Sequence, residues 1–221
     1  MNSLLAKSFI IITILVFMFG HLPLLSFSVR QDNKDLDRRV ENFLDSHDWG
    51  WGDMNVPAAD GRTLHNIILE NNYTRAVEIG TSTGHSSIWI AWALSKTGGK
   101  LITIEIDENR HREALKNFEA AGLSEYIDAR LGDAHEIVPA LEGPFDFVFS
   151  DADKNWYKNY FDALFPKLEA GGCYATHNVS SGRRGWGRNQ DYLEYLRSIP
   201  NLETTVDDRG SGMAVSYKTK D

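Results

Sequence analysis

The 221-residue sequence has little cysteine and no surplus of positive charge. Cys173 is its single cysteine, which excludes an intrachain disulfide. Disulfide bonds therefore cannot indicate whether the protein resides in an oxidising or a reducing compartment. Lysine and arginine total 23 against 31 aspartate and glutamate, for a formal net charge of -8. No basic excess is therefore present to neutralise the phosphates of a nucleic acid. The length suits one well-packed domain, whose partner we expect not to be nucleic acid.

The N-terminal segment differs in kind from the rest of the chain. No charged residue occurs from Ser8 to Val29, and this stretch contains the apolar run FIIITILVFMF. Residues 1–29 are interpreted as either a cleaved signal peptide or a membrane anchor, followed by one domain at residues 30–221. Basic residues after the segment outnumber those before it, which favours a membrane-anchored protein with a cytoplasmic domain. Cleavage of the segment would instead give an exported protein.

After this segment the hydrophobic pattern is first helical and then alternates between strand and helix. Leu36, Val40, Phe43 and Leu44 recur at helical spacing, which predicts an amphipathic helix over residues 33–46. Helical patterns then separate five β-rich runs: RAVEIG, KLITIEID, YIDARLG, FDFVFSD and GGCYATHN. Such alternation predicts an α/β fold with a doubly wound, mostly parallel sheet. The last runs, NLETTVDD and GSGMAVSYK, predict an antiparallel hairpin.

The stretch VEIGTSTGHSS, residues 77–87, has two incompatible interpretations. Its centre matches the G-x-S-x-G nucleophile elbow, and Ser82, Asp151 and His177 follow the Ser, Asp, His order of an α/β-hydrolase. An elbow sits in mid-sheet, however, whereas this turn follows the first recognisable strand. The other interpretation is a glycine-rich turn at a strand end, which holds a nucleoside-bearing cofactor against the start of a helix.

The residues around the turn discriminate among cofactors. A dinucleotide-binding turn needs glycine where this sequence has Ser82, which disfavours a nicotinamide cofactor. Glu105 ends the second strand roughly 20 residues beyond the turn, where a carboxylate can accept both hydroxyls of a ribose. S-adenosylmethionine has a ribose and an adenine but no phosphate, and therefore fits these residues.

Six motifs, taken in order, resemble the cation-dependent O-methyltransferases, the family that includes catechol and caffeoyl-CoA O-methyltransferase. They are MNV, EIGTSTGHSS, LITIEID, GDAHEIVPAL, DADK and HNV, and the similarity extends over essentially the whole domain. The resemblance implies a class I methyltransferase fold with a seven-stranded sheet. It also implies a set of residues that bind S-adenosylmethionine: Met54, Asn55, Val56, Glu78, Gly80, Thr81, Gly84, Ser86, Glu105, Ala134, His135 and Asp151.

The same resemblance implies a mechanism. Methyl transfer needs a nearly anionic acceptor oxygen held close to the methyl carbon. In the family, two aspartates and an asparagine hold a divalent cation that lowers the pKa of the acceptor oxygens. Asp151 and Asn178 stand at two of these ligand positions, and Lys154 stands where a lysine takes the acceptor proton. Asp151 and Lys154 are therefore the predicted catalytic residues.

His177 departs from the family pattern, since it stands where the second aspartate is expected. An imidazole in place of a carboxylate weakens a magnesium site and suits manganese, iron or zinc better. The prediction is a divalent cation held by Asp151, His177 and Asn178, with the identity of the metal open. Two alternatives stay open: no metal binds and His177 acts as a base, or His177 is an ordinary strand-end histidine.

The predicted function is methyl transfer from S-adenosylmethionine to a hydroxyl of a small molecule. Trp49, Trp51, Trp156 and Trp186 could wall an aromatic acceptor, and dimers are common in the family, so a homodimer is an open possibility. S-adenosylmethionine is made in the cytosol, so an exported domain would lack its methyl donor. The alternatives are a non-catalytic exported ligand-binding domain of the same fold and, third, the hydrolase.

Overall fold

The computed structural model describes residues 33–47, 49, 54–181 and 189–220. The N-terminal segment of residues 1–29, Trp51 and Trp186 lie outside these ranges. A bilayer span needs about 20 apolar residues, and no helix in the described ranges is long and apolar enough to make one. The predicted localisation, a membrane-anchored or exported protein, is corrected on this finding.

Helices and strands alternate along the described chain in the predicted order. The helices are α1 (33–46), α2 (Ala58–Asn71), α3 (His85–Thr97), α4 (Glu108–Ala121), α5 (Ala134–Ala140), α6 (Tyr157–Leu164) and α7 (Gln190–Ser198). The strands are β1 (Arg75–Ile79), β2 (Lys100–Glu105), β3 (Ile127–Leu131), β4 (Phe145–Ser150), β5 (Leu168–His177), β6 (Leu202–Asp207) and β7 (Met213–Lys218). Both the predicted first helix and the predicted C-terminal hairpin are present.

The strands form one sheet in the order β3-β2-β1-β4-β5-β7-β6. Strands β1 to β5 are mutually parallel, whereas β7 runs antiparallel to both β5 and β6. The strand order reverses between β1 and β4, and ligands of such sheets bind at the carboxyl ends of the strands beside that reversal. The predicted α/β fold class, with a seven-stranded mostly parallel sheet and an antiparallel hairpin, is confirmed.

Side chains of the central strands alternate between two apolar layers, as the pleat of a strand requires. Val77 and Ile79 of β1 belong to the layer that contains buried side chains of α5, α6 and α7. Ala76 of β1 and Phe147 of β4 belong to the opposite layer, with buried side chains of α2 and α3. Helices therefore cover both faces of the sheet, which leaves its edge of strand ends for ligands.

Helix α1 adds a smaller third cluster at the outer side of α3 and α4. Val40 is fully buried against Ile88 and Phe118. The guanidinium of Arg39 donates hydrogen bonds of 2.8 and 2.6 Å to the carbonyls of Ala120 and Glu119. These carbonyls belong to the last turn of α4, where that of Glu119 also accepts the backbone amide of Gly122, so Arg39 ties α1 to the end of α4.

Candidate active site

The turn between β1 and α3, residues 80–84, lies against the carboxyl ends of two neighbouring strands. The backbone amides of Gly80 and Thr81 both donate to the carbonyl of Ile104 at 3.1 Å. Gly80 has a φ of +99°, and a Cβ at this position would lie 2.5 Å from the carbonyl oxygen of Asp151. Only glycine therefore lets the turn approach the residue that follows β4.

Glu105, at the end of β2, fixes the other side of this turn. Its Oε2 accepts a hydrogen bond from the backbone amide of Ser82 at 2.7 Å, and its Oε1 accepts one from the amide of Asp107 at 2.9 Å. A carboxylate can accept about four hydrogen bonds, so each oxygen keeps capacity for another donor. The carboxylate is held in place and can still accept the two hydroxyls of a ribose.

Glu78 occupies a different environment from Glu105, because it is fully buried. Its carboxylate accepts hydrogen bonds from the hydroxyls of Ser86 and Thr103 at 2.6 Å each, and from the hydroxyl of Ser87. Burial raises the pKa of Glu78 to about 7, although these three hydrogen bonds oppose the rise. In this structure Glu78 and Ser86 bind each other, so their contribution to a cofactor site is to shape the start of α3.

Residues 54–56 are linked to the same turn. The side-chain amide of Asn55 donates to the hydroxyl of Thr83 at 3.0 Å. The carbonyl of Val56 lies 2.8 Å from Nδ1 of His85, at the start of α3. Met54 has 69% of its surface exposed. The structure thus brings the predicted MNV motif to the glycine-rich turn, with Met54 open to a ligand.

Ala134 and His135 begin α5, after β3. The carboxylate of Asp133 accepts a hydrogen bond from the amide of His135 at 2.8 Å and so caps this helix. The imidazole of His135 stacks on the ring of Trp156, with 3.9 Å between the ring centroids. Ala134 is mostly buried, so a planar ligand on this side would meet the stacked rings of His135 and Trp156.

His177, at the end of β5, lies between two carboxylates. Its Nδ1 is 2.9 Å from Oδ2 of Asp151, and its Nε2 is 2.9 Å from Oδ2 of Asp60 in the first turn of α2. The exposed fractions of the side chains are 5% for His177, 1% for Asp60 and 15% for Asp151. The same oxygen of Asp60 accepts the backbone amide of Ser211 at 3.0 Å. We call these three side chains the Asp60–His177–Asp151 array.

Hydrogen bonding determines the protonation state of this array. Burial by itself lowers the pKa of His177, but the charges and hydrogen bonds of Asp151 and Asp60 outweigh burial and raise the pKa to about 9. The two carboxylates thus favour the protonated form of His177.

The array bears on the predicted metal ligands, Asp151, His177 and Asn178. A histidine binds a metal through the lone pair of a neutral ring nitrogen, and here each ring nitrogen is engaged by a carboxylate oxygen 2.9 Å away. Among the residues that the structure describes, no set of three or more His, Cys, Asp or Glu side chains has the arrangement of a metal site. In this arrangement the donors do not fit a divalent cation.

Lys154 stands near the array but takes no part in it. It begins the short 3-10 turn Lys154–Trp156, three residues after Asp151, and it is exposed. Within the described ranges its ammonium forms no ion pair. Its carbonyl lies 3.5 Å from the side-chain amide of Asn189. The ammonium is therefore free to turn toward a ligand at the end of β4.

The comparisons with known proteins agree with the sequence motifs. The model of a family described as O-methyltransferase matches residues 28–185, which is more than half of the chain. The chain belongs to this O-methyltransferase family. The predicted family resemblance is thereby confirmed.

Two curated relatives of this O-methyltransferase family member carry more specific names. A catechol O-methyltransferase of Niastella koreensis is 46% identical over 130 residues, which cover 57% of this chain and 58% of that protein. Caffeoyl-CoA O-methyltransferase 1 of Eucalyptus globulus is 33% identical over 134 residues, which cover 58% of this chain and 54% of that protein. The chain spans a little over half the length of these relatives.

Solved structures of similar fold include one protein with SAM bound and one with SAH bound. The O-methyltransferase TomG from Streptomyces achromogenes, in complex with SAM, has a TM-score of 0.66 at 26% identity and covers 76% of this chain and 83% of its own. An O-methyltransferase from Bacillus cereus, in complex with SAH, has a TM-score of 0.66 at 25% identity and covers 87% of this chain and 89% of its own. These likenesses agree with the observed α/β fold.

The hydrolase interpretation finds no support in the site. A triad base must present one ring nitrogen to the nucleophile, yet both nitrogens of His177 are bound to Asp151 and Asp60. The hydroxyl of Ser82 instead lies 3.5 Å from the guanidinium of Arg110. Ser82, with a φ of +50°, serves the turn through its backbone amide.

Sequence reasoning missed Asp60, the second partner of His177. An aspartate in the first turn of a helix is ordinarily explained by the helix dipole, and its partner in this case is 117 residues away. One signal was available. Asp60 lies four residues before Leu64 and eight before Ile68, on the apolar stripe of α2. An acid on a buried helix face needs a buried partner.

Proposed function

We propose that this protein transfers a methyl group from S-adenosylmethionine to a hydroxyl of a small aromatic molecule. The observation that carries the proposal is the edge formed by the 80–84 turn and Glu105. There a carboxylate is held by two backbone amides beside a turn that only glycine can bring next to Asp151. Membership of the O-methyltransferase family supports the same reaction.

The cofactor-binding residues proposed from the motifs divide into two groups by their environment. Met54 and Glu105 keep free surface or free acceptor capacity, so they are the ones we propose to touch the cofactor directly, with Glu105 on the ribose. Ala134 and His135 would border the adenine beside Trp156. Buried or glycine positions would shape the turn: Val56, Glu78, Gly80, Thr81, Gly84 and Ser86.

The remaining residues would act on the acceptor. When bound, S-adenosylmethionine supplies an electrophilic methyl group on its sulfonium sulfur. Lys154, exposed three residues after Asp151, is proposed as the base that takes the proton of the acceptor hydroxyl. Asp151 lies against Gly80 of the turn and is held by His177, so it would orient groups between the cofactor and the acceptor. Asn55 is held by Thr83 and would border the methionine end of the S-adenosylmethionine site.

The acceptor class rests on the relatives and on aromatic side chains. Two relatives are named as methyltransferases of catechol and caffeoyl-CoA, both of which carry hydroxylated rings. Trp156, near Lys154, is half-buried and stacks on His135. A divalent cation at Asp151, His177 and Asn178 stays a prediction that the hydrogen bonds of His177 disfavour, and we derive no step from it.

Calorimetric titration with S-adenosylmethionine tests the cofactor site. We expect micromolar affinity for the full chain, and a loss of at least about tenfold in Glu105→Gln, since a neutral amide accepts fewer hydrogen bonds. Glu169→Gln is the matched control, because Glu169 is an exposed carboxylate near the start of β5, at the opposite edge of the sheet. Equal affinity in all three proteins would place the ribose elsewhere.

Transfer itself is measured with methyl-labelled cofactor and a panel of phenols. Labelled methyl ether, formed by the wild type and reduced at least about tenfold in Lys154→Met, supports the proposed base. Ser82→Ala separates the hydrolase: ester hydrolysis that disappears in this variant while cofactor binding persists would overturn the methyltransferase. Binding without transfer to any acceptor would favour the non-catalytic alternative.

Two organisational proposals accompany the function. We propose that residues 30–221 form the methyltransferase domain, which agrees with the start of α1 at residue 33. The full chain and a 30–221 fragment should then bind S-adenosylmethionine with equal affinity. The homodimer stays a prediction, and sedimentation velocity would measure it.

A further inference from the structure

The Asp60–His177–Asp151 array contains a departure from the family pattern. His177 stands where the pattern has the second aspartate, and Asp60, in the first turn of α2, lies 2.9 Å from its Nε2. The end of β5 thus holds an imidazole beside the amide of Asn178, where the pattern has a carboxylate beside an amide. An imidazole in this position removes one hard oxygen ligand from the expected metal site.

The surroundings of Asp60 are shaped for this contact. Oδ2 of Asp60 accepts from both Nε2 of His177 and the amide of Ser211. A Cβ at Gly210 would lie 1.9 Å from Oδ1 of Asp60, so the loop between β6 and β7 leaves room for the carboxylate only because residue 210 has no side chain. Two segments far apart in the chain therefore place Asp60 on His177.

The hydrogen bonds of the array leave no ring nitrogen of His177 open to a metal. Nδ1 lies 2.9 Å from Oδ2 of Asp151, and Nε2 lies 2.9 Å from Oδ2 of Asp60. A metal ion bound by Asp151 and His177 would have to break the contact between these two side chains.

We propose that the Asp60–His177–Asp151 array does not hold the family's divalent cation, because both ring nitrogens of His177 are engaged by carboxylates, and that methyl transfer by this protein requires no metal. The proposal rests on the proposed function. In the reaction the acceptor oxygen forms a C–O bond as the C–S bond breaks, S-adenosylhomocysteine leaves, and the acceptor proton passes to Lys154 and then to water. His177 is a positioning residue that acts through Asp151.

The array also affects which acceptors we expect the protein to methylate. A metal ion binds two adjacent oxygens of an acceptor at once, and so favours rings with two neighbouring hydroxyls. His177 is 5% exposed, and both of its donors are already used, so it offers an acceptor no second contact. We therefore expect acceptors with a single hydroxyl to be used within a few-fold as well as acceptors with two adjacent hydroxyls.

The first test uses the full chain after treatment with chelator and removal of the chelator. We expect less than a twofold change in S-adenosylmethionine affinity and in methyl transfer when chelator, Mg²⁺, Mn²⁺ or Zn²⁺ is added. A loss of tenfold or more with chelator that a metal restores would overturn the proposal. Absence of S-adenosylmethionine binding in every condition would instead refute the proposed function.

The second test measures the array without turnover. Nitrogen NMR of the wild type should show a histidine with both ring nitrogens protonated at neutral pH, which is missing from His177→Asn. This signal should be unchanged when Mg²⁺ or Zn²⁺, free of Mn²⁺, is added at millimolar concentration. Loss of the signal on addition of Zn²⁺, together with saturable heat of binding, would show a metal site and overturn the proposal even if no acceptor is found.

The third test rebuilds the family pattern with His177→Asp. Carboxylates at positions 151 and 177 with the amide of Asn178 should bind Mg²⁺ or Mn²⁺ at least about tenfold more tightly than the wild type, and transfer should become sensitive to chelator. Ser124→Asp is the matched control, since it adds a carboxylate at an exposed position before β3, at the opposite edge of the sheet. Equal metal affinity of wild type and His177→Asp would contradict the proposal, and if the variant does not fold, the wild-type measurements still decide.

Discussion

The two halves of the strand-end edge stabilise their buried carboxylates in different ways. At the ends of β1 and β2, Glu78 is held by three hydroxyls and Glu105 by two backbone amides. At the ends of β4 and β5, Asp151 is held by His177, which also contacts Asp60 of α2. Hydroxyl and amide donors leave a carboxylate able to accept further hydrogen bonds from a ligand. A carboxylate bound to His177 is already engaged by another side chain of the protein. The ends of β1 and β2 are therefore suited to bind a cofactor. At the ends of β4 and β5 the carboxylate and the imidazole bind each other instead.

Removal of Asp60 should have the largest effect on stability. Asp60→Ala leaves the Nε2 proton of His177 buried without an acceptor, and breaking a buried ion pair costs about 3–5 kcal/mol. Urea unfolding measures the change. Asp128→Ala is the control, because the ion pair of Asp128 with Arg130 is exposed and should contribute less than about 1 kcal/mol. Equal losses in the two variants would remove the contrast between the two halves.

Glu78 should make stability depend on pH. Its pKa rises from 4.5 to about 7 on folding, so its contribution is fully present below pH 4.5 and is lost as pH rises through 7. At about 1.4 kcal/mol per pKa unit, the loss approaches roughly 3 kcal/mol. Glu78→Gln should abolish this part of the pH dependence in urea unfolding between pH 4.5 and 7.5. The exposed Glu203→Gln should leave the slope unchanged, and an unchanged slope in Glu78→Gln would refute the assignment.

Gly80 joins the two halves, and a methyl group there should disturb both. Gly80→Ala places a Cβ 2.5 Å from the carbonyl oxygen of Asp151, whereas at Gly171, which also has a positive φ, a Cβ meets nothing within 4 Å. The overlap should therefore cost about 2 kcal/mol more than Gly171→Ala, and S-adenosylmethionine affinity should fall only in Gly80→Ala. Equal behaviour of the two variants would mean that the turn is not in contact with Asp151.

The smallest effect is expected at the cap of α5. Asp133→Ala removes the acceptor of the His135 amide and should cost about 1 kcal/mol in urea unfolding. Asp133→Ser keeps an acceptor and should recover most of that loss. If Asp133→Ser also binds the cofactor as tightly as the wild type, Asp133 acts by positioning His135. If Asp133→Ser binds the cofactor more weakly than the wild type, Asp133 contacts the cofactor directly.

The sequence predicted the fold better than the chemistry of the second half. Short β-rich runs between helical patterns are local signals, and every predicted strand is present, as is the helix at residues 33–46. The contact between Glu105 and the 80–84 turn was also within reach of the sequence, because the two lie on adjacent elements of the chain. Asp60 meets His177 only through the packing of α2 against the β5 end, and the room for it depends on Gly210. Such contacts between distant segments produce no periodic pattern in the sequence.

The position of β7 inside the sheet, between β5 and β6, has a consequence for synthesis. Domains generally begin to fold from the N-terminus as the chain is made, and Asp60, Asp151 and His177 all emerge well before Ser211 and β7. A nascent chain therefore carries the three charged side chains before it has the amide and the strand that enclose them. The half of the site that differs from the family is the last to be assembled, and a chain interrupted before Gly210 would keep the cofactor turn without a finished charge array.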